Sequence, residues 1–421
     1  MRALKTRSDI DGTVILPGSK SLTHRALIAA ALADGKSVLE RPLVCEDTTL
    51  TAKALRQLGV QMAHEQERML VTGNGGLFPG FTQRKEIFLG NSGTSYRLIL
   101  SIVALGRGDY ILTGTPRMNL RPIGHLVRAL RSLGVDVDCT DQPDHPPAWV
   151  RAGGIRGGIV SIPGDISSQH VSSLLLACPY AEEDTEIHVT GTLVSGPYVD
   201  MTLKTMERFG VSAEREGPDR FKVKAGQRYR PRVIHIEGDV SSASYFWAAA
   251  AVTGGRMVTG NITPHETGQG DISFLDLLAE MGCVVTKGTE SVTVRGGDLA
   301  GIEADMKDIP DMVPTLAAVA LFARGKTFIR NVAHLRYKES DRLKAVAREW
   351  RKLGAKVDEL SDGLVVQGWS PLVGNLVNPH NDHRLAMSLA VIGLRVPGVF
   401  LENDHCVAKS FPSFWELWSR L

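Results

Sequence analysis

The sequence has no apolar run near the ~18 residues of a membrane-spanning helix, and Met1 to Ile10 is charged, with none of the apolar stretch that a secretory leader needs. A cytoplasmic protein with no membrane partner is therefore expected. Its five cysteines, Cys45, Cys139, Cys178, Cys283 and Cys406, stand singly without a C-x-x-C pair, which excludes a disulfide framework and a cysteine zinc site and fits a reducing compartment. An excess of one charge is lacking too. Forty-eight Lys and Arg against 46 Asp and Glu leave +2, without the basic face that nucleic acid requires. There is no G-x-G-x-x-G after a strand, no G-x-x-x-x-G-K-[ST] loop and no H-E-x-x-H, and the pairs Ser167–Ser168 and Ser241–Ser242 lie outside any G-x-S-x-G elbow. His380, Asp382 and His383 have ligand chemistry but no third ligand helix to accompany them. No metal, no nucleotide and no other cofactor is expected.

What is present is a soluble-protein composition and a long chain. Apolar residues make up 43% and charged residues 22%, with 43 Gly and 20 Pro marking many turns. At 421 residues the chain exceeds a single ordinary core, so two domains are the starting expectation.

Internal periodicity carries the most information. Polar turns open apolar helical stretches at Gly18 (GSKSLTHRALIAAAL), Gly90 (GNSGTSYRLILSIVAL), Gly164 (GDISSQHVSSLLLA), Gly238 (GDVSSASYFWAAAAV), Pro310 (PDMVPTLAAVALFA) and His380 (HNDHRLAMSLAVIGL), in steps of 70–74 residues. Each stretch is followed by a turn and a β-branched run such as GDYILTG, then in five cases by a charged amphipathic helix ending at Gly, and an alternating strand such as SVTVRG. The pattern predicts an α/β fold of six β-α-β-α-β-β units, three per domain. Because the first helix of each unit has no clean polar face, these helices should be buried with the sheets outside, as in an inverted barrel. The expected domains are 19–238, and 1–18 with 239–421.

Repetition yields a fold rather than a reaction. The helix openings, crowded with Ser, Thr, Asn and Gly, put hydroxyls and backbone N–H groups where the helix dipole is positive, which makes an anion cradle. Taken singly, each is more often a plain N-cap. Cations at corresponding positions tip the balance: Lys20 and Arg25 around Ser21, Arg121, Lys338 and Arg342, Arg384, and Lys409. Together they point to two phosphates and a carboxylate bound between the domains, held by several charge-assisted bonds. Two carboxyls, Asp311 and Glu339, lie among these cations and are candidates for proton transfer; the structural alternative makes Asp311 an N-cap and KESDRL a salt-bridged helix start.

The segments LPGSKS, FLGNSGTSYR, RPIGHL, GDISSQ, GDVSSASY, DIPDMVPT, KESDRL and NDHRLAM resemble 5-enolpyruvylshikimate-3-phosphate synthases, and the likeness runs through every repeat. It implies transfer of the enolpyruvyl group of phosphoenolpyruvate to the 5-hydroxyl of shikimate 3-phosphate, by addition and elimination, on the route to chorismate and the aromatic amino acids. By the same resemblance, shikimate 3-phosphate would meet Lys20, Ser21, Arg25, Ser167, Ser168, Gln169, Ser195, Tyr198, Asp311, His334 and Lys338. Phosphoenolpyruvate would meet Lys20, Asn91, Gly93, Arg121, Gln169, Arg342, Arg384 and Lys409. Catalysis would fall to Asp311, Glu339 and Lys20, in a monomer whose partners are these small molecules. Leu98 stands where many members carry Pro, and His334 where many carry Asn. The related transferase that acts on UDP-N-acetylglucosamine carries a cysteine before its R-P segment, whereas GTPRMNLR, 114–121, has none. A non-catalytic anion-binding protein and a purely structural repeat are the readings from other classes. The second would leave its inward cations uncompensated.

Overall fold

The computed structural model describes residues 1–8, 10–80 and 83–421. Six inner helices, Lys20–Leu32, Gly93–Ala104, Ser168–Ala177, Val240–Thr253, Val313–Ala320 and His383–Gly393, follow the six polar openings. Nearly every residue in them is buried, as helices apolar on all sides must be. Side-chain caps mark where several begin: Ser92 accepts from the Ser95 N–H at 3.3 Å, Asp239 from Ser242 at 2.7 Å and Asp382 from Arg384 at 3.0 Å. Each satisfies a donor that the first turn leaves without an intrahelical partner. The Pro310 opening differs from the N-cap alternative: Pro310–Met312 is a 3-10 turn, Asp311 lies inside it, and the α-helix starts at Val313. The N-cap position of that helix is Met312, not Asp311.

The outer helices Glu46–Gln57, Gly124–Ser132, Gly196–Arg208, Phe274–Glu280 and Arg342–Lys352 bury one face. They stop ahead of Gly59, Gly134, Gly210, Gly282 and Gly354, all at positive φ between 80° and 112°, where a side chain would be strained.

The second repeat shows the sheet rule. Lys85–Phe88 runs parallel to Gly108–Thr113, which pairs antiparallel with Ala148–Ala152, itself antiparallel to Asp136–Cys139. Among the described residues five four-stranded sheets share this arrangement, with two strands exchanged. Asp11–Ile15, which precedes the first inner helix, pairs with Arg256–Gly260, while Val233–His235, which precedes the fourth, pairs with Asp34–Glu40. In the sixth sheet Leu376–Val377 lies beside Phe400–Leu401, and the N-terminal strand Arg2–Ala3 completes it.

These pairings divide the chain into one continuous unit, Gly18–Ile236, and one discontinuous unit, Met1–Pro17 with Glu237–Leu421. Each has its own apolar core, and the two cores share no residue. Among the described residues no helix is long and apolar enough to cross a membrane.

Candidate active site

In the Gly18–Ile236 unit the openings of the first three inner helices hold an array of buried polar groups. Arg25, 2% exposed, donates through Nε to Thr202 Oγ1 at 2.7 Å, through Nη1 to the Ser21 carbonyl at 3.0 Å and through Nη2 to the Tyr198 carbonyl at 2.9 Å. Burial lowers its pKa to about 10, which still leaves it cationic at neutral pH. Lys20 Nζ lies 3.2 Å from the buried carboxylate of Asp47. Ser195, buried and left-handed at φ 56°, ends the turn that delivers Tyr198. Ser167 caps the third inner helix and Ser168 opens it, both buried.

Arg121 donates to the Asn91 carbonyl at 3.0 Å. Its guanidinium lies so near Gly93 that a Cβ there would sit 2.4–2.8 Å from its atoms, so glycine is what admits the arginine to the helix opening. Gln169 is held at both ends of its amide: Oε1 accepts from Arg97 at 2.8 Å and Nε2 donates to Thr94 Oγ1 at 2.9 Å. A chain from the His24 imidazole Nδ1 through the Thr51 hydroxyl to the Ser95 hydroxyl, at 2.8 Å per link, ties the first outer helix to the first two inner helices.

The other unit holds a cluster around Arg342, which is 1% exposed. Its Nη1 donates to Asp311 Oδ1 at 2.7 Å, its Nη2 to Glu339 Oε2 at 2.8 Å and its Nε to Asp382 Oδ2 at 2.8 Å. Burial works against the charge, but the three carboxylates outweigh it and raise the pKa further. Arg384 donates to Asp311 Oδ2 at 2.6 Å, so this carboxylate bridges two guanidiniums. Asp382 also receives Ser340 Oγ at 3.1 Å. His334 is buried; desolvation first, then the charges of Lys338 and Arg342, push its pKa down to about 3 against the pull of Asp311, so the ring is neutral. Lys338 follows the turn Ala333–Tyr337 that carries His334. Lys409, buried, ends the turn His405–Lys409.

Hydrogen bonds join some of the expected residues within each unit, Arg25 to Ser21 and Tyr198, Arg121 to Asn91, and Arg342 to Asp311 and Glu339, while Lys338 and Lys409 lie on separate 3-10 turns. Four groups were not picked out from the sequence: Asp47 beside Lys20, Arg97 on Gln169, Asp382 on Arg342, and Asp271, which is buried near Asp311 and Arg384. Arg97 lies inside the motif FLGNSGTSYR, and Asp382 has metal-ligand chemistry in NDHRLAM, but neither motif marks its partner. For Arg97 a signal was available, a charged residue one turn into an otherwise apolar helix, since such a charge is buried only when paired.

A family model described as EPSP synthase (3-phosphoshikimate 1-carboxyvinyltransferase) matches residues 4–418. The 3-phosphoshikimate 1-carboxyvinyltransferase of Methanoculleus marisnigri is 50% identical over 408 residues, covering 97% of this chain and 96% of that protein. The protein of the same name from Syntrophobacter fumaroxidans is 46% identical over 425 residues, covering 100% and 99%. Among solved structures, an EPSP synthase from Acinetobacter baumannii superposes with a TM-score of 0.81 at 28% identity, covering 99% of this chain and 97% of that one.

Proposed function

The chain belongs to the EPSP synthase family and moves the enolpyruvyl group of phosphoenolpyruvate to shikimate 3-phosphate, and from that premise we propose that Asp311 and Glu339 are its proton-transfer pair. The observation that carries this reading is that one buried guanidinium, Arg342, holds both carboxyls at 2.7 and 2.8 Å. Two carboxyls of the right chemistry are thus kept within reach of one reacting centre.

Glu339 takes a proton from solvent before the addition step; in that step the 5-hydroxyl oxygen bonds C2 of phosphoenolpyruvate while Asp311 takes the hydroxyl proton and Glu339 gives its proton to the methylene carbon. In the elimination step the C–O bond to phosphate breaks, and a methyl proton returns to Glu339. The proton taken by Asp311 leaves with the phosphate. Lys20, Asn91, Gly93, Arg121, Gln169, Arg342, Arg384 and Lys409 bind phosphoenolpyruvate, the cations among them stabilising the departing charge. Lys20, Ser21, Arg25, Ser167, Ser168, Gln169, Ser195, Tyr198, Asp311, His334 and Lys338 bind shikimate 3-phosphate. Asp311 begins the cycle tied to two arginines, and anionic substrates that claim those guanidiniums release it to act as a base.

The test is phosphate release from phosphoenolpyruvate with shikimate 3-phosphate as acceptor, and with UDP-N-acetylglucosamine as the control acceptor. Asp311→Ala and Glu339→Gln are expected to lose roughly 10²–10⁴ in rate with the first acceptor. Near wild-type turnover in both variants removes the assignment.

A further inference from the structure

Glu349 is a buried carboxyl that the mechanism above leaves unused. It is 0% exposed, on the buried face of the outer helix Arg342–Lys352, two turns and about 10 Å along the axis from Arg342. A carboxylate lies so deep only when donors replace its water. Three hydrogen bonds do so here: Oε1 accepts from His380 Nε2 at 2.9 Å, and Oε2 accepts from the Asn378 N–H at 2.9 Å and from Lys352 Nζ at 2.7 Å. His380 and Asn378 belong to the segment that leads into the sixth inner helix.

That segment is held against its own backbone preference. The Pro379 carbonyl accepts from the Asp382 N–H at 2.9 Å, and the two residues between them, His380 at φ 52° and Asn381 at φ 56°, are both left-handed. A tight turn with positive φ at both central positions suits glycine, asparagine and aspartate, and a histidine there is strained. Among the described residues no other neighbouring pair without glycine shares this conformation. Such strain persists only where surrounding contacts hold it. Glu349 supplies them at the entry to the turn: it binds the His380 ring and the N–H of Asn378, whose Oδ1 accepts from the His380 N–H at 2.6 Å. At the exit, Asp382 Oδ2 accepts from Arg342 Nε at 2.8 Å, and its Oδ1 caps the sixth inner helix by accepting from the Arg384 N–H at 3.0 Å. One outer helix therefore grips the turn twice, through Glu349 at the entry and Arg342 at the exit.

We propose that Glu349 is a positioning residue for two arginines: by holding the 379–382 turn in its strained form, it keeps Asp382 on Arg342 and starts the sixth inner helix where Arg384 meets Asp311. Arg384 makes that contact at 2.6 Å from the first turn of the helix. Without Glu349 the turn relaxes, Asp382 withdraws, and the guanidiniums that receive the substrate anion lose their alignment. This deepens the mechanism above and rests on Arg342 and Arg384 as ligands of phosphoenolpyruvate.

The measurement is KM and kcat for phosphoenolpyruvate at saturating shikimate 3-phosphate, beside a thermal melt, in wild type, Glu349→Gln, His380→Ala, Lys352→Ala and the double variant Glu349→Gln with Asn381→Gly. An amide at 349 cannot accept from all three donors, so Glu349→Gln and His380→Ala are each expected to raise KM roughly tenfold. Because Arg342 still holds Asp311 and Glu339, kcat should fall less. Lys352→Ala removes a partner of Glu349 that lies outside the turn, so its melting point should drop while KM stays within about twofold of wild type. Asn381→Gly restores no lost bond but relieves the left-handed strain, and in the double variant it should reverse roughly half of the rise in KM on a logarithmic scale. An unchanged KM in Glu349→Gln or His380→Ala overturns the proposal, as does an equal rise in Lys352→Ala or a double variant no better than Glu349→Gln. If Glu349→Gln does not fold, His380→Ala and Lys352→Ala decide between them. Arg342→Lys and Arg384→Lys test the premise separately: if neither raises KM, the assignment of these arginines to phosphoenolpyruvate falls, whereas a rise there without one in the turn variants removes only the positioning role.

Discussion

At the residue scale, Arg342 and Arg384 hold a cluster of three carboxyls, Asp311, Glu339 and Asp382. Arg342 ties down Asp311, Glu339 and Asp382 together, and no pair of these residues has the whole arrangement by itself. Removing one partner would leave an uncompensated buried charge, which is why such networks are destabilised far more by truncation than by their net worth as pairs. His334 is the neutral counterpart. With a folded pKa near 3 against an ordinary value of about 6.5, it imposes no penalty above pH 6.5. Below that value the unfolded chain takes a proton that the folded protein refuses, so stability is lost as pH falls toward 3. His334→Asn should therefore flatten the pH dependence of the unfolding free energy between pH 6 and 4 by up to ~1.4 kcal/mol per pH unit, measured by denaturant titration. An unchanged slope would mean that the histidine titrates normally in the folded state.

At the scale of elements, the inner helices serve twice. Their apolar bodies build the cores, and their polar first turns present caps, hydroxyls and paired charges at one end. Gly93 shows how narrowly the two uses are fitted. It is the first residue of the second inner helix, and the Arg121 guanidinium occupies the volume that a side chain would need. Gly93→Ala should leave the helix intact, because alanine is the better helix former, yet displace the guanidinium. The expected result is a thermal midpoint close to wild type with a several-fold higher KM for phosphoenolpyruvate, about 1 kcal/mol of binding per fivefold change. Steady-state kinetics beside a thermal melt would check it, and an unaltered KM would place Arg121 away from the substrate. The outer helices obey a simpler rule, stopping where Gly59, Gly134, Gly210, Gly282 and Gly354 take left-handed conformations.

For the whole molecule, the exchanged strands decide what can stand alone. Because Val233–His235 completes the first sheet of Gly18–Ile236, that continuous segment contains every strand of its three sheets and all of its core. Expressed by itself, residues 18–236 should unfold cooperatively in denaturant and release no phosphate above background, since Asp311 and Glu339 belong to the other unit. A non-cooperative transition would show that its core needs the rest of the chain. The other unit has no such independence, as its sheets draw on strands at Arg2–Ala3 and Asp11–Ile15.

The sixfold period, the inner and outer helices, their glycine stops and the cationic openings were all legible in the sequence, because each is set by local hydrophobic pattern, capping and backbone preference over a dozen or so residues. The structure alone decided which strands change places, that Met312 rather than Asp311 stands at the N-cap, and which carboxylate meets which arginine. Asp382 and Arg342 are 40 positions apart and Asp311 and Arg384 are 73. Pairings across such distances leave no local trace, because they arise only once packed helices remove water from the charges and force each one to find a partner.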